Sequence, residues 1–409
     1  MKKYFALKSH SILYRILAIF LLLSSCTTYK HGYLGALPSS GSRMDTNVDS
    51  VDCSLAGLQY KKQELNTESF NLSRNIRETL NQSKPISAHT FNLLFDNLQK
   101  HYQIDTLYHL LMQQSHEESV RTKSKEALLE SAVNYKKAFQ GNKFIRRTIN
   151  RGDPAFGVHP KTLIQAQQFL WSSKNNRKYL IEHQRDEMSI HTKSGFLLSK
   201  EVDNCHAAQY QTTYFFSRLF GNFAGLFHGR IDKKTNAMLL KSQLKEFDLV
   251  FLKSLSHLTE KFIPGYFGHV GISLGNNMII EAPRCGVKIS DTEEFSNGEI
   301  YLIVRPINLS NAQSQNIRNL LYRQIGKKYD FNFDSQSPDK VVCTELVSLA
   351  YDYIDWETRR VAGRYTTTPD DLIRTLMGRR DFEFEMYIKK GQFISKPDST
   401  FISGLLKLK

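Results

Sequence analysis

Apolar residues recur at helical spacing through the first half of the chain and fall into short runs through the second. Phe91, Leu94, Phe95 and Leu98 stand at i, i+3, i+4 and i+7, one face of a helix. Leu128, Leu129, Ala132, Val133, Tyr135 and Phe139 form a second stripe, and Leu163, Ala166, Phe169 and Leu170 a third. Pro85, Pro154 and Pro160 mark breaks between these helices. The spacing predicts a mostly α-helical domain over 55–185 with the stripes as its core. A connecting segment, 186–243, follows. Within it Phe216, Leu219, Phe220, Phe223 and Phe227 share one helical face. That face suits a helix packed between two domains, the preferred reading, or one lying in a membrane interface.

After Leu244 the pattern is that of strands. Phe247–Leu252 is a short apolar run. Gly268–Leu274 alternates, with His269, Gly271 and Ser273 on one face and Val270, Ile272 and Leu274 on the other. A turn at Gly275-Asn276-Asn277 leads into Met278–Ala282, and Glu299–Arg305 forms a third strand. Strands joined by short turns predict an antiparallel sheet. Leu346, Val347, Ala350, Tyr353 and Ile354 then make a helical stripe, which puts Cys343 at a helix N-terminus.

The first residues add an address. Lys2, Lys3, Lys8 and Arg15 precede and flank the apolar run Ile16–Leu23, which ends at Ser24-Ser25-Cys26. Eight apolar residues fall well short of the roughly 20 that span a bilayer, so 1–25 reads as a secretory signal. Leu23-Ser24-Ser25-Cys26 resembles the lipobox of bacterial lipoproteins, which implies lipidation of Cys26 and attachment to a membrane through it. Thr27, standing where an inner-membrane retention signal has Asp, leans toward the periplasmic face of the outer membrane. Gly32, Gly35, Pro38, Ser39, Ser40, Gly41 and Ser42 make 26–54 a flexible tether, and 396–409 reads as a basic tail.

A length of 409 residues suits two or three domains, and 41% hydrophobic with 23% charged residues describes a folded chain. The first 25 residues hold four positive charges and no acid, leaving +11 of the formal +15 to the remainder. Such a surplus favours anionic surfaces, headgroups or acidic polymers. The Lys and Arg residues are scattered and no nucleic-acid-binding motif occurs, so nucleic acid is not an expected partner. No HExxH or CxxC spacing occurs, so neither a metal nor a cofactor is implied. Oligomeric state is not legible.

Chemistry centres on Cys343. Free amides and the positive dipole end at a helix start favour the thiolate and can help form an oxyanion hole. A nucleophilic thiol then needs a histidine base and a group to orient it. Gly-His269-Val-Gly-Ile, Ile-Ile-Glu281-Ala, Val-Arg305-Pro, Gly326-Lys-Lys-Tyr329-Asp330, Cys343-Thr-Glu-Leu-Val and Thr368-Pro-Asp-Asp-Leu372 resemble, in this order, the YaeF/YiiX-like proteins, permuted papain-fold amidases related to the NlpC cell-wall peptidases. The resemblance covers about Leu244 to Leu376. It implies an α+β fold, a permuted papain-like antiparallel sheet plus helices over 244–395, preceded by the helical domain. It further implies Cys343 as nucleophile, His269 as general base and Glu281 as the orienting residue, with Tyr329 and Arg305 in the substrate pocket. The expected substrate is a peptidoglycan stem-peptide amide in the cell envelope. An acyl-lipid, hydrolysed or transferred, is the first alternative, and a non-catalytic envelope-binding lipoprotein the second.

The geometry of Glu281 depends on the turn. A three-residue loop, 275–277, pairs Leu274 with Met278 and Gly271 with Glu281, setting Glu281 diagonal to His269 on one face. A two-residue turn would put them on opposite faces. Two rivals for the nucleophile are weaker. Gly271-Ile-Ser273-Leu-Gly275 matches GxSxG, but a turn and a strand follow where the elbow needs a helix. Cys285 stands in a turn with no helix behind it. Cys343 is expected to stay out of any disulfide with Cys53, Cys205 or Cys285.

Overall fold

The computed structural model describes residues 55–183, 233–253, 265–330, 333–337, 339–361 and 364–407. The signal, the tether with Cys26, the aromatic segment 213–227, Cys53 and Cys205 lie outside them.

Among the described residues six helices come first: α1 Leu55–Asn81, α2 Ala88–Gln114, α3 Glu118–Phe139, α4 Lys143–Arg151, α5 Thr162–Trp171 and α6 Lys174–His183. Their stripes merge into one core, in which Phe91, Phe95 and Leu98 meet Leu129, Val133, Phe139, Leu163 and Leu170. The ends are set locally. Ser87 accepts the Thr90 N–H (3.2 Å) at the start of α2, and Asn142 accepts those of Phe144 and Ile145 (2.9 and 3.1 Å) at the start of α4. Pro154 opens a 3-10 turn, Pro154–Phe156.

The second half builds a seven-stranded sheet. In chain order the strands are β1 Leu249–Lys253, β2 His269–Gly275, β3 Met278–Glu281, β4 Lys288–Asp291, β5 Ile300–Pro306, β8 Phe382–Lys389 and β9 Gln392–Ser395. Their spatial order is β4-β3-β2-β1-β5-β8-β9, and every neighbouring pair is antiparallel. Alternation along the strands gives the sheet two apolar faces. Phe251, Val270, Ile272, Ile280, Leu302 and Val304 share a core with residues of α9 Asn311–Gln324, α10 Cys343–Ala350 and α11 Pro369–Met377. Val250, Leu252, Ile279, Tyr301 and Ile303 pack with Leu240 of α7 Lys233–Gln243 and Phe295 of the short α8 Thr292–Phe295. A small hairpin, β6 Arg359–Val361 with β7 Arg364–Thr366, stands apart.

Two boundaries differ from expectation. Residues 233–243, expected within the connecting segment, form α7: Leu240 is fully buried, and Asn236 donates to the Gly298 carbonyl (3.1 Å). Residues 399–407, expected as a tail, form α12, because Asp398 accepts the Phe401 N–H (2.7 Å) and Ile402 and Leu405 enter the core.

The β2–β3 hairpin departs from both turns considered. Its turn holds two residues, Asn276 and Asn277, both at positive φ (49° and 63°), which suits the right-handed strand twist. Gly275 pairs with Met278, yet Ser273 pairs with Ile279 and Gly271 with Glu281. Leu274 is therefore the extra residue of a β-bulge. The bulge takes up one residue of register, so the short turn still leaves Glu281 opposite Gly271.

The helices dock on the sheet domain mainly through polar contacts, with an apolar contribution. Lys327 and Asp153 form an ion pair (2.8 Å) with both side chains 1% exposed. Gln336 accepts the Ile86 N–H (2.9 Å) and donates to the Ile86 carbonyl (3.2 Å). Asn92 donates to the carbonyl of Leu349 in α10 (3.1 Å), and Leu320 of α9 joins the helical core.

Candidate active site

The site begins where the chain enters β2. Asp370, in the first turn of α11, accepts the N–H groups of Tyr266 and Phe267 (2.6 and 3.0 Å). Its carboxyl carbon lies 2.9 Å from where a Cβ on residue 265 would stand, and that residue is Gly at φ +148°. Thr368 and Asp371 close a capping box around the same helix start, Asp371 accepting from the Thr368 N–H and hydroxyl (2.9 and 2.7 Å). The Thr-Pro-Asp-Asp sequence thus clamps the segment that leads directly to His269.

His269 Nε2 lies 2.8 Å from Glu281 Oε2, and the Ser290 hydroxyl donates to Glu281 Oε1 (2.6 Å). With Nε2 donating to the carboxylate, Nδ1 is the ring nitrogen left for Cys343, to which His269 is also hydrogen-bonded. The imidazole side chain remains 21% exposed, while Cys343 is 5% exposed at the first turn of α10. Burial alone would lower the histidine pKa. The Cys343 sulfur and the Glu281 carboxylate outweigh it and push His269 up to about 10. Glu281 behaves inversely: burial would raise it, but His269, the Ser290 hydroxyl and Lys288 hold it below the usual carboxylate range.

Tyr329 lies within electrostatic reach of the same sulfur. Burial, with Cys343 and Glu345 nearby, pushes its hydroxyl well above the ordinary value. Glu345, two residues after Cys343, accepts the Val342 N–H (2.9 Å) and so caps α10. Burial, then Asp330, pushes its carboxyl well above the ordinary range.

Of the residues singled out from sequence, Cys343, His269, Glu281 and Tyr329 come together. Arg305 does not. It stands near the end of β5 remote from His269: Leu252 faces both His269 and Tyr301, while β1 begins at Leu249, opposite Val304. There Arg305 grips the fully buried Asp248 through Nε and Nη2 (2.9 and 2.7 Å), and its Nη1 pairs with Glu385 (3.0 Å). Ser273 is buried and its hydroxyl accepts the Gly275 N–H within the hairpin (3.2 Å). Cys285 is exposed; it and Cys343 are both free thiols. Sequence reasoning missed Ser290 and the clamping role of Asp370.

A thiol at a helix start, hydrogen-bonded to an imidazole that a carboxylate orients, is an arrangement suited to acyl transfer. Here the sheet bearing histidine precedes the helix bearing cysteine, which defines a permuted papain-like domain. Residues 243–400 match the model of the permuted papain-like amidase enzyme family, YaeF/YiiX, C92 family. No curated protein and no solved structure matches the chain.

Proposed function

We propose that the protein is a cysteine-dependent amidase or peptidase of the bacterial cell envelope that cleaves stem-peptide amides of peptidoglycan. In this reading it is held through lipidated Cys26 at the periplasmic face of the outer membrane. The observation that carries it is the continuous chain of contacts from Cys343 through His269 and Glu281 to Ser290.

The Cys343 sulfur attacks the amide carbonyl carbon, forming a C–S bond, and backbone N–H groups at the start of α10 receive the developing oxyanion. As the C–N bond breaks, protonated His269 gives its proton to the departing amine. Water then attacks the thioester with His269 as base, releasing the acid and restoring the thiol. Glu281 keeps the ring oriented and stabilises its charged form, and Ser290 fixes Glu281 in turn.

The test is digestion of purified peptidoglycan by the full chain in detergent beside its Cys343→Ala variant, with products read by mass spectrometry. New peptide termini made only by the unsubstituted protein are expected, with the variant at least about 10³-fold slower. Absence of products from both would overturn the peptidoglycan assignment and direct the search to acyl-lipids.

A further inference from the structure

Three segments run side by side next to Cys343. The chain leaves β3 through Ala282, Pro283 and Arg284, and the following residues lie on the 326–330 segment. The Val287 N–H donates to the Lys327 carbonyl (2.8 Å) and the Gly326 N–H to the Val287 carbonyl (2.9 Å). At Gly286, φ is +109° and a Cβ would stand 2.4 Å from the Lys327 carbonyl oxygen, so only glycine permits this approach. On its other side the 326–330 segment meets the lead into α10. The Val341 N–H donates to the Lys328 carbonyl (3.1 Å) and the Asp330 N–H to the Val341 carbonyl (3.2 Å). Tyr329 occupies the middle of this arrangement, with Arg284 and Cys343 both close enough to act on its hydroxyl.

Arg284 is the anomaly. Its Nη2 is sealed from solvent and has no hydrogen-bond partner among the described residues. The acids near Tyr329 are engaged elsewhere: Glu345 caps α10, and Asp330 accepts the Asp334 N–H (3.0 Å). A sequestered N–H left unpaired is costly, whereas a guanidinium presents a planar fork matched to a carboxylate.

We propose that Arg284 anchors a carboxylate of the substrate beside the bond that Cys343 attacks. The inference rests on the reading of Cys343 as nucleophile and narrows its substrates to amides bearing a nearby carboxylate, as stem peptides do.

Two thiol reagents test this. Iodoacetate and iodoacetamide both alkylate by displacement, the sulfur forming a C–S bond as iodide leaves, and they differ in carrying a carboxylate or a neutral amide. Rates at Cys343 are measured on the full chain by peptide mapping, which separates it from Cys285. The ratio of iodoacetate to iodoacetamide rates is expected to fall about three- to ten-fold in Arg284→Gln, the size of one screened charge at several ångströms. Arg284→Lys, which keeps the charge, is expected to hold the ratio within about two-fold. Taking the ratio cancels any loss of folded protein that slows both reagents alike. An unchanged ratio in Arg284→Gln, with Cys343 still alkylated and slowed by His269→Ala, would overturn the anchor and leave the nucleophile standing. Cys343 inert to both reagents while Cys285 reacts would overturn the nucleophile, and the anchor with it.

Discussion

His269 stands between a sulfur and a carboxylate, and both neighbours favour its protonated form. With its pKa raised to about 10, the imidazolium persists through neutral pH and is lost only as pH climbs through that value. The stability it contributes has the same sign: full below the unfolded value of about 6.5 and gone above about 10. Hydrolysis is therefore expected to keep its alkaline limb near pH 10. Glu281→Gln should move that limb down by about one to two pH units, measured from kcat against pH. A limb that stays in place would remove Glu281 from the pair. At this scale the sequence carried the main residues, because a cysteine before a helical stripe and a histidine on an alternating strand are local patterns. Ser290 was hidden because its role arises across strands that no local pattern joins. Arg305 was misplaced because motif order does not say which end of a strand a residue occupies.

Between elements, the β2–β3 hairpin decides whether the histidine and its carboxylate meet. Turn length alone would have separated them, and the bulge at Leu274 restores the pairing. Since Gly275–Met278, Ser273–Ile279 and Gly271–Glu281 are already in step on either side of Leu274, deleting Leu274 should give a regular hairpin with the same partners. Hydrolysis is expected to stay within about ten-fold of the parent, at a cost of about 1–3 kcal/mol for the lost residue. A folded deletion protein without activity would show that the bulge's added twist, and not register alone, aims Glu281. Strand identity and antiparallel order were legible from alternation and turns, whereas a bulge leaves no mark in the alternation until the partner strand is known. The terminal helix α12 was obscured by the lysines of its segment, Lys396, Lys407 and Lys409, although Ile402 and Leu405 sit at helical spacing.

Across the whole molecule, the division into helical and sheet regions followed from the change in periodicity, while the seam between them depends on single polar residues. Burial pushes the Lys327 amine below its ordinary value and Asp153 opposes that shift, so each needs the other. Lys327→Met should cost about 3–5 kcal/mol by stranding Asp153, and adding Asp153→Ala should recover much of the loss, read from denaturant midpoints at pH 7. Additive losses would deny the coupling. The seam also has a consequence in time. As the chain is synthesised, Ile86, Asn92 and Asp153 emerge well before Gln336, Leu349 and Lys327, and at about 5–20 residues per second the delay is on the order of ten seconds to a minute. Through that interval the helices carry an uncovered docking face. A face closed mainly by amides and ion pairs, with Leu320 adding an apolar contact, can wait in water, whereas a wholly apolar one would invite aggregation before its partner arrived.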